Sequence, residues 1–146
     1  MLNEFFPQHA DNAYHGHKLA LWIFALVVLI RVFQGLNTFL NPRTTARYAD
    51  GIPLHTYAPA AEQTTASLFS MLGLYGFIVC LPCLLVLFRY RSMVPVMFAL
   101  LLLQNIGSKL VFHFLPIIRT GTPPGIYMSW ILLAFMVAGL ALSIPW

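Results

Sequence analysis

Charged residues are scarce in this chain. Only 8% of its 146 residues are Asp, Glu, Lys or Arg, whereas such residues make up about 25% of an average soluble domain. None occurs between Glu62 and Arg89, and none follows Arg119. Uncharged segments of this length can cross a hydrocarbon core, which requires about 20 apolar residues. The scarcity excludes an ordinary soluble domain and favours a membrane protein.

Carboxylates are missing from every predicted membrane span. The chain has four acidic residues: Glu4, Asp11, Asp50 and Glu62. All lie outside the membrane-buried segments, because the second helix is expected to begin outside the bilayer and to be buried over about 65–87. A paired-carboxylate site inside the membrane is therefore excluded, and neither a phosphate-binding loop nor a nucleophile elbow occurs. We predict no catalytic residue, no metal site and no resident cofactor, although a bound lipid or quinone is possible. The protein is accordingly expected not to be an enzyme.

Basic residues outnumber acidic ones, which gives a net charge of +4. They lie beside the predicted spans rather than in one run, a distribution typical of membrane proteins and not of nucleic-acid binding. The compact Arg89–Arg91 turn favours a cytoplasmic location for both termini. The first 17 residues contain no Lys or Arg and so lack the basic region of a signal peptide. The first helix is therefore expected to be retained.

Hydrophobic runs predict an all-α integral membrane bundle of four transmembrane helices in a single domain, 1–146. The helices are predicted at about 19–40, 59–88, 93–115 and 123–143. Asn41-Pro42 stops the first helix, and a proline opens each of the other three. We expect residues 1–17 to form an interfacial tail and residues 41–58 to form an ordered cap. Trp146 suits an interfacial aromatic belt.

Polar side chains concentrate in one half of the predicted bundle. Helical rise alone places Arg31 level with Tyr75, Gln104 and Asn105. On the first helix, Arg31, Gln34 and Thr38 are three and four residues apart, so they form a polar stripe on one face. The candidate ligand- or partner-binding residues are Arg31, Gln34, Thr38, Tyr75, Gln104, Asn105, Ser108, Lys109 and His113.

Arg31 is the most informative residue, because a charged side chain at the centre of a span costs about 2.5–3.5 kcal/mol on insertion. No carboxylate within the spans can neutralise it. Three kinds of compensation stay open: polar side chains with water, an anionic lipid or ligand head group, or an acidic or carbonyl group of another protein.

Small residues predict close helix packing. The candidates are Gly35, Gly73, Gly76, Cys80, Cys83, Ala134 and Ala138. The two cysteines also form a C-x-x-C motif, which is compatible with thiol–disulfide exchange.

The segment Leu29-Ile-Arg31-Val-Phe-Gln-Gly35, with the four-helix layout, resembles the small DoxX-like bacterial membrane proteins. The resemblance implies a four-helix protein of the bacterial cytoplasmic, or inner, membrane. The acidic residues often found in the helices of that family have no counterpart in these spans, so no functional residue is carried over.

Three functions are consistent with these features. The first is a non-enzymatic accessory or stabilising subunit of a larger membrane complex, whose partners are other integral membrane subunits and lipids. The second is a lipid- or quinone-binding bundle, or a small transporter, with a basic site around Arg31. The third is a membrane thiol–disulfide oxidoreductase that uses Cys80 and Cys83. Nucleic acid is not an expected partner.

Overall fold

The computed structural model describes residues 2–145, so the predicted interfacial role of Trp146 falls outside the described residues. Four long helices dominate it: α1, Lys18–Leu40; α2, Pro59–Arg89; α3, Val94–Phe114; and α4, Pro124–Ser143. All four are long and apolar enough to cross a membrane. The predicted fold class, an all-helical membrane bundle, is confirmed.

The helix ends follow from local chemistry. Pro59 and Pro124 are the first residues of α2 and α4, a position that tolerates proline because its N–H would lack a helical partner. His17 precedes α1, and its Nδ1 accepts a hydrogen bond from the Leu19 N–H at 3.1 Å. Every bound of the four helices lies within one residue of the predicted one.

The apolar core fills the half of the bundle that contains Lys18 and Arg89, here called the tail end. Its centre is Phe24 of α1 against Phe98 of α3, with ring centroids 5.0 Å apart in an edge-to-face arrangement. Both side chains are fully buried. Large apolar side chains also cover the outer surface, as expected for helices whose solvent is lipid.

Helices α1 and α2 make the most extensive contact in the bundle, and glycine permits it. A Cβ added to Gly35 would lie 2.9 Å from the Phe77 backbone nitrogen, and one added to Gly73 would lie 2.7 Å from the Gly35 carbonyl oxygen. Gly76 differs, because an added Cβ would meet no atom within 4 Å. The close approach of α1 and α2 therefore depends on Gly35 and Gly73.

The remaining small residues divide between the inside and the outside of the bundle. Cys80 and Cys83 are buried at 1% exposure, whereas Ala134 and Ala138 are exposed on the outer face of α4. On the inner face of α4 the close contact belongs to Gly139, where an added Cβ would collide with the Phe98 ring. Gly139 was not among the predicted packing residues.

The N-terminal segment covers the tail end. It begins with a helical turn, Leu2–Phe5, and is held by Asp11 and Ser92, which exchange backbone and hydroxyl hydrogen bonds of 2.9–3.3 Å. The His17 N–H also donates to the Leu142 carbonyl at 2.9 Å. These bonds fix the tail on the turn between α2 and α3 and on the end of α4.

Residues 41–58 cover the opposite end, here called the loop end. They contain a helical turn at Pro42–Thr44, a π-helical turn at Thr45–Ala49 and a 3-10 turn at Leu54–Thr56. The buried members of a small second core are Ala46, Ile52 and Leu54. This segment is thus folded against the bundle.

Candidate ligand-binding cavity

A polar cavity of about 280 Å³ lies towards the loop end, lined by all four helices and by Thr45, Ala49 and Asp50 of the loop. Six predicted site residues line this polar cavity: Arg31, Gln34, Thr38, Gln104, Asn105 and Ser108. On α1 the spacing explains the grouping, since residues three, four and seven positions apart share a helical face. The polar stripe read from the sequence is therefore one wall of the cavity.

Arg31 is partly buried and reaches across the bundle. Its Nη2 donates a hydrogen bond to Oε1 of Gln104 on α3 at 2.6 Å. A bond from a guanidinium is stronger than one between neutral groups because the donor is ionised. An amide, however, carries no charge, so the positive charge of Arg31 remains available to an anionic or acceptor group in the cavity.

Asn105 is the buried polar residue beside this pair. Its side chain is 5% exposed, and its Oδ1 has no hydrogen-bond partner among the described residues. Leaving such an acceptor unsatisfied costs about 1–3 kcal/mol. Because Asn105 also lines the polar cavity, a ligand that carries an O–H or N–H group can supply the missing donor.

Asp50 brings a carboxylate to the same polar cavity, although it lies outside the spans, as predicted, on the loop at 41–58. Gly51 next to it has φ +68°, a left-handed conformation that glycine adopts readily. The Gly51 carbonyl accepts hydrogen bonds from the N–H and the hydroxyl of Thr120, at 2.8 and 3.1 Å. Asp50 is thereby held at the loop end of the cavity.

The N-terminal turn of α4 also positions Asp50. A Cβ added to Gly125 would collide with the Ala49 carbonyl and would lie 3.5 Å from Oδ1 of Asp50. Burial raises the pKa of the Asp50 carboxyl above its ordinary value, and the positive charge of Arg119 opposes this rise. The carboxylate is therefore poorly solvated, which favours a donor or a cation beside it.

Three predicted residues lie elsewhere. Tyr75 is 56% exposed on the outer surface, and His113 is exposed beside the Phe114 ring. Lys109 lies behind the cavity wall, where its Nζ donates to Ser129 Oγ at 2.9 Å and sits 3.9 Å from the Trp130 ring centroid. The structure does not bring these residues together with Arg31.

No protein-family profile matches the chain, and no curated protein or solved structure is significantly similar to it. The resemblance to DoxX-like proteins is thus limited to the Leu29–Gly35 segment and the helix layout. The cavity itself carries the functional argument.

Sequence reasoning missed four polar lining residues: Asn37, Thr45, Asp50 and Ser129. Asn37 was detectable in principle, because it lies three residues after Gln34 on α1. Thr45 and Asp50 were not, because their position depends on how residues 41–58 fold back over the helix ends. The Asp50-Gly51 pair marks a turn in the sequence but not the direction of that turn.

The cysteines do not line the polar cavity, although both lie close enough to Arg31 to interact with its charge. Cys80 and Cys83 are free thiols buried at 1% exposure, and Cys83 belongs to the apolar core. Within residues 2–145, no group of three or more His, Cys, Asp or Glu is placed to hold a metal ion.

A second cavity, of about 300 Å³, lies at the tail end between the N-terminal segment and the start of α3. Tyr14 lines it and donates a hydrogen bond from its hydroxyl to the His17 carbonyl at 3.1 Å. Burial raises the pKa of Tyr14 to about 12. The geometry gives Tyr14 a role in holding the tail.

Proposed function

We propose that this protein binds the polar head group of a small membrane-soluble molecule in the polar cavity. The observation that carries the proposal is the unpartnered Oδ1 of the buried Asn105, which lines the same cavity as Arg31. A structural arginine would require only neutral partners such as Gln104. Asn105 Oδ1 adds an acceptor without a protein donor to the same cavity, and the O–H or N–H group of a ligand could bind it.

The size of the polar cavity limits the ligand. Its volume of about 280 Å³ lies just below the range of typical ligand pockets, about 300–1,000 Å³. A head group or a single substituted ring fits this space, whereas a whole lipid does not. The apolar part of the ligand would extend between the helices into the membrane.

The chemistry of the polar cavity favours a ligand with both an acceptor and a donor. Arg31 supplies N–H donors to a carbonyl, carboxylate or phosphate, and Asn105 Oδ1 accepts from a hydroxyl or an amine. Lipid head groups and reduced quinones both carry these two kinds of group. Either class therefore remains compatible with the lining.

An accessory subunit of a larger membrane complex is the second candidate. The exposed Ala134 and Ala138 on α4 favour it, because small residues let membrane helices pack closely. Arg31 does not contribute to this candidate, since it faces the inside of the bundle. The third candidate, thiol–disulfide exchange, requires accessible thiols, whereas Cys80 and Cys83 are buried.

We further propose a bacterial cytoplasmic membrane as the location, with both termini on the cytoplasmic side. The resemblance of the Leu29–Gly35 segment supports the membrane, and the Arg89–Arg91 turn supports the orientation. Labelling of single cysteines introduced at each terminus, in intact cells, measures the orientation directly.

Native mass spectrometry of the full chain, purified in a gentle detergent, tests the binding proposal. We expect the wild type to retain a lipid or quinone and Arg31→Gln to lose it. Arg91→Gln is the matched control, because Arg91 lies at the tail end and donates to the Leu87 carbonyl. Equal retention by the wild type and Arg31→Gln, or no retained ligand in either, would refute the proposal.

A further inference from the structure

Two opposite charges line the polar cavity without pairing to each other. Arg31 and Asp50 are both part of its lining. Among the side chains that the structure describes, the ion pair closer than 4 Å is the one between Arg43 and Glu62, on the surface. Arg31 and Asp50 therefore face one space as separate charges.

The Asp50 carboxylate also has no hydrogen-bond donor within the described part of the chain. It is nevertheless held in place, because Thr120 binds the Gly51 carbonyl and Gly125 contacts the Ala49 carbonyl. A carboxylate that is fixed by its backbone but has no partner for its oxygens resembles a binding group rather than a structural one. Asn105 Oδ1 adds a second unpartnered acceptor to the cavity.

We infer that the ligand of this cavity is a zwitterion whose anionic group contacts Arg31 and whose ammonium group contacts Asp50. The inference rests on the proposed function and names the class of ligand. A simple anion would satisfy Arg31 but would bring a like charge near Asp50. A neutral quinol would leave Arg31 without a counter-ion and would bring no positive charge to Asp50 inside the cavity. A zwitterion pairs both, and its ammonium N–H groups also suit Asn105 Oδ1.

The electrostatics of the loop end agree with this assignment. Burial raises the pKa of Asp50, and an adjacent ammonium group would reverse that effect by favouring the ionised carboxylate. Arg119 acts on Asp50 from the loop before α4, and Arg31 lines the same cavity. The ligand ammonium would supply the positive charge inside the cavity.

The same chemistry could come from two sources: the phosphoethanolamine head group of a membrane lipid, or a free zwitterion that enters from the aqueous phase. Both present a phosphate or carboxylate at one end and a primary ammonium at the other. The experiment below separates them by using one probe of each kind.

The lipid arm uses the full chain in detergent, incubated with phosphatidylethanolamine or phosphatidylglycerol and analysed by native mass spectrometry. The wild type should retain phosphatidylethanolamine, and Asp50→Asn should reduce its retention by about tenfold or more, since a charge-assisted hydrogen bond is lost. Retention of the anionic phosphatidylglycerol should not fall in Asp50→Asn. Asp11→Asn, at the tail end, is the matched control.

The soluble arm measures the shift in thermal unfolding on addition of O-phosphoethanolamine. If O-phosphoethanolamine shifts the unfolding of the wild type, Asp50→Asn abolishes the shift and no lipid is retained, the ligand is a free zwitterion. If only phosphatidylethanolamine is retained, the ligand is the lipid head group. The inference that the ligand is a zwitterion is overturned if Asp50→Asn retains as much phosphatidylethanolamine as the wild type, or if the wild type prefers phosphatidylglycerol. If Arg31→Gln also leaves all retention unchanged, the proposed function itself fails, so the two failures are distinguishable.

Discussion

Arg31 Nη2 lies 2.6 Å from Gln104 Oε1, and this hydrogen bond joins α1 to α3 across the polar cavity. The two helices contact each other far less than α1 contacts α2. A charge-assisted bond at this place therefore carries much of the polar connection between them. It also holds the guanidinium on one side of the cavity, where a ligand can reach it.

Gln104→Leu should destabilise the bundle by about 1.5–3 kcal/mol, because the partly buried guanidinium of Arg31 loses its acceptor. Unfolding in mixed detergent micelles measures the change. Gln63→Leu is the matched control, since Gln63 accepts from Arg43 in an exposed position and surface contacts of this kind are worth at most about 1 kcal/mol. Equal effects of the two variants would contradict a structural role for the Arg31–Gln104 bond.

Gly73→Ala should destabilise the protein by about 1–3 kcal/mol, the usual cost of overpacking a core. The added methyl group would meet the Phe39 backbone and lie 2.7 Å from the Gly35 carbonyl oxygen, so α1 and α2 must separate. Gly107→Ala provides the control, because a Cβ at Gly107 meets no atom within 4 Å. The control should be neutral or stabilising in the same unfolding measurement.

Gly125→Ala should displace Ala49 and Asp50 from α4 while leaving both side chains intact. We expect faster amide hydrogen exchange at Ile52, whose N–H donates to the Ala46 carbonyl at 2.9 Å, together with weaker ligand retention. Gly107→Ala should change neither. Unaltered exchange at Ile52 in Gly125→Ala would show that this contact does not hold the loop.

Asp50→Asn should stabilise the ligand-free protein at neutral pH. The folded state raises the pKa of Asp50 above the ordinary value of 3.8, so it binds the proton more tightly than the unfolded state does. Ionisation therefore removes stability as the pH rises from that value through the folded pKa. The midpoint of thermal unfolding should be higher for Asp50→Asn at pH 7 and should converge with the wild type at about pH 3. A lower midpoint for the variant at pH 7 would contradict the burial of an ionised carboxylate.

Cys80 and Cys83 should resist a water-soluble maleimide in the folded protein and react after unfolding in sodium dodecyl sulfate, because both are buried at 1% exposure. A cysteine introduced at the exposed His55 of the loop at 41–58, in a background in which Cys80 and Cys83 are alanine, serves as the positive control. Rapid labelling of Cys80 and Cys83 without detergent denaturation would contradict their burial and would favour the oxidoreductase hypothesis.

Much of the fold could be predicted from the sequence, because hydrophobic runs bounded by proline or asparagine mark where membrane helices begin and end. Pro59 and Pro124 mark the starts of α2 and α4, and Asn41 ends α1, so the bounds agree to within one residue. The rotation of each helix was harder to predict. Both faces of α2 and α4 are apolar, and polarity therefore did not reveal that Tyr75, Ala134 and Ala138 face outwards.

The candidate site could be predicted only where it lies on helices. Regular rise and rotation placed Arg31, Gln34 and Thr38 on one face of α1 and placed Gln104 at the depth of Arg31. Asp50 lies on a segment whose path depends on contacts with Thr120 and Gly125, far along the chain. Such tertiary contacts leave no periodic signal in the sequence, which is why the carboxylate of the cavity was missed.

The apolar core closes the polar cavity on the side that faces the tail end. Leu132 belongs both to the cavity lining and to the apolar core, and beyond it Phe24, Phe98 and Met136 are each 0% exposed. A molecule bound at Arg31 could cross to the tail end only by forcing these side chains apart. The packed core therefore closes the polar cavity towards the tail end.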